Sequence, residues 1–176
     1  MTNSPVFLEL ECGLADALRL HLLPERPRAE EAAFVFAQQV GDCDDELVLR
    51  GVDHELVAPD GFNLRSIHAL ELRDTTRARI IKRAHDLSAS LVELHSHPFP
   101  YPAEFSPTDR AGLDEVVPHV RWRLRGRPYV AIVTAPDSFD ALVWRGPNHP
   151  RPETLAGLRV GEQSLAPTGL SAGHWR

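Results

Sequence analysis

The sequence of residues 91–98 is LVELHSHP, and after a short loop that of residues 106–109 is SPTD. The first segment is mostly apolar before its histidines, which is typical of a buried strand. The second is typical of a helix start, because serine suits the N-cap and proline the first helical position. Side chains two residues apart on a strand point to the same face, so His95 and His97 lie side by side. The two segments therefore predict a strand–loop–helix unit.

The rest of the chain alternates between strand and helix patterns, which predicts an α/β fold with a mixed central sheet flanked by at least three helices. Strands are expected at residues 6–10, 32–40, 46–49, 54–57, 67–72, 91–97, 129–134 and 139–144, the last two as a hairpin. Helices are expected at residues 15–23, from 74 or 75 to about 88, and from 106 to near Pro118. Residues 1–146 form the predicted domain. Residues 147–176 are rich in Pro, Gly and Ser and are expected to be a loosely ordered tail that adds little to the core.

The length, charge and apolar content of the chain limit the classes of function that fit it. A chain of 176 residues can bury a core without a metal, so a metal would more often be catalytic than structural. The net charge of −6 argues against nucleic acid as the main partner. No run approaches the roughly 18 apolar residues of a membrane helix, and no signal peptide is evident. We therefore expect a cytoplasmic protein with no membrane partner.

Three side chains in this unit are candidate metal ligands. His95 and His97 share a strand face, and Asp109 at the third helical position is held near them by the capped helix start. A Ser-x-x-Asp alone is usually only a cap, and a His-x-His alone is more often a surface or packed pair. Their combination around a proline-rich loop is more specific and predicts a catalytic Zn²⁺ site, with three protein ligands and one position for water.

These residues resemble the signature of the JAMM (MPN-plus) zinc metalloproteases, in which an upstream Glu precedes His-Ser-His-Pro and Ser-x-x-Asp. The resemblance covers residues 15–145 and implies a JAMM/MPN, cytidine-deaminase-like architecture. It implies that His95, His97 and Asp109 ligate zinc and that Ser106 helps to hold the oxyanion of the tetrahedral intermediate. The segment between His97 and Ser106 departs from the family by looking one residue longer, which affects the loop geometry more than the ligands.

The same resemblance implies a catalytic glutamate on an early strand. The matching segment, residues 30–37, is EEAAFVFA, with alanine where the family often has glycine, and its register selects Glu30 as the general base. A slip of one residue would select Glu31 instead. Glu93 lies two residues before His95 and shares its face. It either orients His95 or has a structural role.

The implied activity is that of a zinc-dependent isopeptidase or peptidase that cleaves after the C-terminus of a ubiquitin-like protein. Bacterial relatives act with E1-like and E2-like enzymes in ubiquitin-like conjugation or antiviral systems, so the expected partners are the ubiquitin-like tail, its conjugates and those enzymes. A protease that processes a sulfur-carrier protein is an alternative. A binding scaffold without activity, or a DNA-associated relative, is another, although the complete ligand set and the acidic charge disfavour them.

The arginines, aromatic residues and remaining histidines of the chain have less specific patterns. Arginines alternate with Trp122 and Leu124 at positions 121, 123, 125 and 127, which predicts a basic stripe for a carboxyl-rich partner or, more often, a solvated strand edge or helix end. The aromatic residues Phe99, Tyr101 and Phe105 flank the histidines and line a peptide groove or pack the loop. The remaining histidines lack ligand spacing and are expected to be surface or packing residues: His21, His54, His68, His85, His119, His149 and His174.

Overall fold

A computed structural model describes residues 4–43 and 45–175 of the protein. Its strands are β1 (Val6–Leu10), β2 (Ala32–Cys43), β3 (Glu46–Leu56), β4 (Phe62–Arg65), β5 (Leu70–Leu72), β6 (Ser90–Ser96), β7 (Tyr129–Ala135), β8 (Ser138–Trp144), β9 (Glu153–Thr154), β10 (Gly157–Val160) and β11 (Gln163–Leu165). Its α-helices are α1 (Cys12–Leu22), α2 (Asp74–Asp86) and α3 (Pro107–Arg123), and short 3-10 turns cover Pro59–Gly61 and Ser171–Trp175.

The main sheet has nine strands in the order β11-β10-β1-β3-β2-β6-β7-β8-β9, and β4 and β5 form a separate hairpin. Strand β6 runs parallel to β7, with α3 as the crossover between them, and antiparallel to β2. Strand β1 runs parallel to both β3 and β10. The predicted mixed α/β sheet flanked by helices is confirmed at this level.

Each face of the sheet carries its own hydrophobic core. Helices α2 and α3 cover one face with residues such as Ile80, Leu113 and Val117, which pack with Phe34 and Leu91 of the sheet. Helix α1 covers the other face through a second cluster, which includes Leu18, Leu22, Val35, Val92 and Ile132. Strands β2, β6 and β7 therefore lie between two apolar layers, and this explains their nearly continuous apolar sequences.

The predicted boundaries of β3 and of the end of α3 are wrong. Residues 46–57 were expected to form two strands, but β3 is continuous and absorbs a register shift between Phe36 and Ala37 of β2. Gly51 of β3 lies close to the Leu10 side chain, and only glycine fits there easily, since a Cβ at residue 51 would lie only 2.9 Å from Leu10 Cδ2. Helix α3 was expected to end near Pro118 but continues to Arg123. Pro118 removes one backbone hydrogen bond, whereas the buried side chains of Val117 and Val120 keep the helix on the sheet.

The hairpin of β4 and β5 was predicted only in part. Residues 67–72 were expected to be one strand, but only Leu70–Leu72 is extended, and it pairs with Phe62–Arg65, a strand that the sequence pattern did not indicate. The residues between them form a turn in which the Ser66 N–H donates to the Ala69 carbonyl at 2.9 Å. This turn lies against the loop that follows β6, where His68 stacks on Phe99.

The expectation of a loosely ordered tail is also wrong. Strand β10 pairs with β1 in parallel, β9 pairs with β8, and the Ala156 N–H donates to the Val6 carbonyl at 2.8 Å. Leu155 is fully buried in the core on the α1 side of the sheet. The segment is ordered because it pairs with the free edges of β1 and β8, and the partner of β10, β1, lies at the other end of the sequence.

Among the helices in the described part of the chain, none combines the length and the apolar character needed to cross a membrane.

Candidate metal and catalytic site

The predicted strand–loop–helix unit brings the two histidines and the aspartate together. His95 lies near the carboxyl end of β6 and His97 just beyond it, while Asp109 lies in the first turn of α3. The Nε2 atoms of His95 and His97 lie 3.5 and 3.3 Å from Oδ2 of Asp109. One ligand atom from each residue lies within 4.8 Å of the other two, so the three side chains could hold one metal ion.

The helix start holds Asp109 in a fixed position. Ser106 is the N-cap and Pro107 the first helical residue, as predicted. The Asp109 N–H donates to Ser106 Oγ at 3.1 Å, and the Ser106 N–H donates to Asp109 Oδ2 at 2.7 Å. This reciprocal capping box satisfies two backbone donors of the helix. It also fixes the carboxylate that faces the histidines.

The Nε2 atom of His95 is buried and has no hydrogen-bond partner among the described residues. The 3.5 Å separation from Asp109 is too long for a good hydrogen bond. A buried polar atom without a partner costs about 1–3 kcal/mol. A cation bound between the three side chains would satisfy this nitrogen, so the donor set fits a metal with imidazole and carboxylate ligands.

The electrostatics keep Asp109 anionic. Burial raises the pKa of Asp109, but the imidazoles of His95 and His97 and the Ser106 contact outweigh burial and hold that pKa well below its usual range. Burial lowers the pKa of His95, but the neighbouring Asp109 carboxylate raises it. The net pKa of His95 lies above the ordinary value. Imidazole and carboxylate groups are ligand types that suit divalent metals such as zinc.

The pairing of β2 with β6 distinguishes Glu30 from Glu31. Ala32 lies opposite His95 in the antiparallel ladder. Glu31 then pairs with Ser96, since the Ser96 N–H donates to the Glu31 carbonyl at 3.0 Å and the Glu31 N–H donates to Ser96 Oγ at 2.9 Å. Alternation along the strand therefore places Glu30 on the face that carries both histidines, and Glu31 on the other face.

The environments of the two glutamates agree with this placement. Glu30 is buried, and burial raises its pKa while the charges of His95 and His97 oppose the rise. Glu31 forms an ion pair with Arg65 of β4, in which the Arg65 Nε lies 3.1 Å from Oε2. Glu30 is thus the carboxylate beside the candidate metal site, and Glu31 anchors the β4–β5 hairpin.

Glu93 would have to contact His95 in order to orient it, but its partner is a different residue. Its carboxylate accepts a hydrogen bond from the Tyr129 hydroxyl of the neighbouring strand β7. Burial, together with the Glu93 charge, raises the pKa of Tyr129 well above its ordinary value, so the phenol stays protonated as the donor. No hydrogen bond joins Glu93 to His95 among the described residues. Of the two roles considered for Glu93, the structure supports the structural one.

The loop between His97 and Ser106 is fastened by residues from distant parts of the chain. The Ala103 N–H donates to Ser138 Oγ at 2.8 Å, and Thr168 Oγ1 donates to the Ala103 carbonyl at 2.7 Å. The Phe105 N–H donates to Ser171 Oγ at 2.9 Å. Phe105 is buried, and its ring packs edge-on against His95 with centroids 5.7 Å apart. This aromatic residue therefore packs the loop, while Tyr101 is exposed.

His68 belongs to the rim of the site, although sequence spacing did not indicate it. It lies in the turn between β4 and β5, and its ring stacks on Phe99 with centroids 5.6 Å apart. Its charge is close enough to act on the pKa of Glu30. No pattern along the chain could have identified His68, because the contact joins two loops that only the folded sheet brings together.

Comparisons with known proteins add little. No family model and no curated protein matches the sequence. Among solved structures, the chain is similar to the solution structure of a protein from Salinibacter ruber, with 18% identity, a TM-score of 0.43, and coverage of 92% of this chain and 97% of that one. It is also similar to the STIL N-terminal domain of Trichoplax adhaerens, with 9% identity, a TM-score of 0.35, and coverage of 74% of this chain and 37% of that one. Both similarities are too weak to support a functional argument.

Proposed function

We propose that this protein is a zinc-dependent protease of the JAMM (MPN-plus) type, with the corresponding fold. One observation carries the proposal. His95, His97 and Asp109 converge within 4.8 Å of one another, and a buried glutamate, Glu30, occupies the same sheet face. This combination matches the residue types and the order of the family signature in the sequence.

The donor set suits a catalytic zinc ion. Two imidazole nitrogens and one carboxylate oxygen are three of the four ligands that zinc usually takes, and they leave one position for water or substrate. When bound, zinc would supply Lewis-acid chemistry that lowers the pKa of a water molecule and polarises a carbonyl group. The unpartnered Nε2 of His95 and the anionic state of Asp109 both favour a cation here.

Glu30 is the proposed general base and acid. Burial raises the pKa of its carboxylate, which makes the group better able to return a proton after accepting one. In the proposed reaction a Glu30 carboxylate oxygen takes the proton of the attacking water and delivers it to the leaving amine. The water oxygen first bonds to the carbonyl carbon and the carbonyl oxygen becomes an oxyanion; the C–N bond then breaks as the oxyanion collapses and the nitrogen accepts the proton.

Ser106 is the proposed oxyanion donor. Its Oγ accepts a hydrogen bond from the Asp109 N–H, and its hydroxyl also contacts the Asp109 carboxylate and lowers the pKa of that group. The hydroxyl hydrogen can rotate about the C–O bond to suit its acceptor. It can therefore donate to the carbonyl oxygen of a substrate as negative charge develops there.

The substrate class follows from the family resemblance. We propose that the protein cleaves after the C-terminus of a ubiquitin-like protein joined to a lysine side chain or to a short extension. It would act in a bacterial conjugation system with E1-like and E2-like enzymes, in an antiviral or related role. Processing of a sulfur-carrier protein uses the same chemistry on a linear peptide bond, so the two substrates can be compared in one assay.

The test measures metal content and cleavage separately. Purified protein should contain about one zinc ion per chain. It should cleave a bacterial ubiquitin-like protein fused to a reporter or conjugated to lysine, lose activity with a chelator and regain it with zinc. Glu30→Gln should lower the cleavage rate by about 10²-fold or more with zinc still bound, while Glu31→Gln should retain most activity.

Three outcomes would count against the proposal. Protein without zinc affinity would remove the metal site. Loss of activity in Glu31→Gln but not in Glu30→Gln would reverse the assignment of the base. Zinc-loaded protein that cleaves none of the ubiquitin-like substrates, linear or conjugated, would favour the non-catalytic scaffold.

A further inference from the structure

The arginine stripe of the sequence lies at the end of α3 and in the turn that follows it. None of Arg121, Arg123, Arg125 and Arg127 forms an ion pair with any described residue. Six arginines elsewhere form ion pairs with carboxylates, namely Arg50, Arg65, Arg79, Arg83, Arg145 and Arg159, while others such as Arg19 and Arg26 form none within the part of the chain that the structure describes. What distinguishes the stripe is that four arginines lie within seven residues of a chain whose net charge is −6.

An open groove of about 440 Å³ lies beside these arginines. Its walls are mainly apolar and include Val117, Pro118, Trp122, Trp144, Pro147 and Pro150. Three charged residues, Arg121, Arg125 and Asp114, also line it, and the Asp114 carboxylate already accepts a hydrogen bond from Trp175 Nε1 at 2.8 Å. The groove therefore combines an apolar surface with cationic groups, and it lies at the opposite end of α3 from Asp109.

The groove is held open by fixed contacts. The Arg121 guanidinium donates to the carbonyls of Gly146 and His149, which anchors the loop that carries Pro147 and Pro150. Gly126 has a φ of +74°, and a Cβ at this position would lie 2.6 Å from Pro147 Cγ. The two sides of the groove thus pack closely without a side chain at residue 126. A preformed groove needs little reorganisation to bind a ligand.

Arg125 occupies a backbone position that favours glycine. Helix α3 ends with hydrogen bonds from the Gly126 N–H to the Arg121 carbonyl at 2.7 Å and from the Arg125 N–H to the Trp122 carbonyl at 3.2 Å. In such helix ends the left-handed residue is usually glycine, but here Arg125 has a φ of +56°. Burial and the nearby Arg125 charge lower the pKa of Arg127. Neither backbone preference nor charge repulsion favours arginine at residue 125, whereas a carboxylate ligand would.

Trp122 adds a large exposed aromatic surface. Its side chain is 72% exposed, and the Arg123 guanidinium lies 5.3 Å from the ring centroid. Tryptophan and arginine are the residue types that contribute most often to the binding energy of protein interfaces. An exposed pair of this kind beside an apolar groove is therefore a good site for a protein partner.

We propose that this groove binds an extended peptide segment of a partner protein that carries both carboxylates and apolar side chains. The carboxylates would lie against Arg123 and Arg125, and the apolar side chains against Trp122 and the proline walls. The apolar lining favours a peptide over nucleic acid, because nucleic acid is bound mainly by phosphate contacts on a broad positive surface. The proposal does not depend on hydrolysis and is separate from the metal site.

The experiment uses the full chain and fluorescence anisotropy. One labelled probe peptide alternates Glu or Asp with Leu, Phe and Pro, and a matched probe has Lys in place of each acidic residue. The acidic probe should bind, more weakly at high salt, and the lysine probe should not. The double variant Arg123→Glu/Arg125→Glu, and separately Trp122→Ala, should each weaken binding about tenfold or more.

The matched control is the double variant Arg19→Glu/Arg26→Glu, which makes the same charge change at exposed residues in or just after α1. Helix α1 packs on the other face of the sheet from α3, so the control should bind like the original protein. Zinc content and thermal unfolding should be unchanged in all variants. Equal binding of the lysine probe, equal loss in the control, or no binding of the acidic probe would overturn the proposal.

Two further results would show that the groove binds something other than an acidic peptide. Single-stranded RNA that binds more tightly than the acidic peptide, with the same dependence on Arg123 and Arg125, would identify a nucleic-acid site. Concentration-dependent self-association that is abolished by Arg123→Glu/Arg125→Glu would identify a second copy of the chain as the occupant. Both results would contradict the peptide proposal.

Discussion

Glu30 and Glu31 are consecutive residues of the same type that lie in different environments. They have the same side chain, yet the ladder between β2 and β6 places Glu30 beside the histidines and Glu31 beside Arg65. The first is buried with a raised pKa, and the second is neutralised by a guanidinium. The role of a carboxylate here is decided by the strand face on which it lies.

The hydrogen bond between Glu93 and Tyr129 can be tested by removing the tyrosine hydroxyl. Tyr129→Phe should destabilise the protein by about 1–3 kcal/mol, because it leaves the half-buried Glu93 carboxylate without its donor. Urea unfolding measures this change, and Tyr101→Phe at an exposed position is the matched control. Zinc affinity should be unaffected, since Glu93 does not hydrogen-bond to His95. A loss of zinc affinity in Tyr129→Phe would show that Glu93 orients the ligand after all.

The loop between β6 and α3 depends on elements that lie far from it in the sequence. Asp140 on β8 is fully buried and accepts hydrogen bonds from the Gly169 N–H at 3.0 Å and the Ser171 N–H at 2.9 Å. Ser171 in turn accepts from the Phe105 N–H. This chain of contacts joins the C-terminal turn to the loop that leads into the capped start of α3.

Removing one hydroxyl from this chain should loosen the loop locally. Ser171→Ala should leave the buried Phe105 N–H without a partner and destabilise the protein by about 1–3 kcal/mol. Hydrogen exchange of the Phe105 amide should accelerate in Ser171→Ala, and that of central β7 amides should change less. Ser164→Ala, at an exposed position on β11, is the control. Unchanged exchange at Phe105 would mean that the contact does not hold the loop.

The main sheet of the protein has nine strands and extends from β11 to β9. Both of its outer ends are formed by residues 153–165, which follow the predicted domain. These residues cover the edges of β1 and β8, and unpaired strand edges are a liability for folding and solubility. The C-terminal segment is thus part of the folded unit.

Leu155 distinguishes an integrated segment from a loose tail. Leu155→Ala should lower the free energy of unfolding by about 2–5 kcal/mol, because the residue is fully buried and its removal leaves a cavity. Leu170→Ala, at a half-exposed position in the same segment, should change it by less than about 0.5 kcal/mol. Chemical denaturation measures both. Two equally small changes would show that the segment is not packed as described.

Local sequence patterns by themselves determined several parts of this protein. They predicted β1 with its observed limits, the hairpin of β7 and β8, the capped start of α3 at Ser106, and the shared face of His95 and His97. Each of these depends on periodicity, turn residues or capping within a few consecutive positions. These interactions are short-range, so they can be inferred from neighbouring residues alone.

The tertiary structure alone decided the remaining features. It placed Glu30 rather than Glu31 beside the histidines, brought His68 to the rim, and tied the site loop to Ser171. It also incorporated Leu155 and β10 into the main sheet. Each of these contacts joins segments that lie tens of residues apart, and their register is set by packing and hydrogen-bond pairing across the whole sheet, which no local pattern encodes.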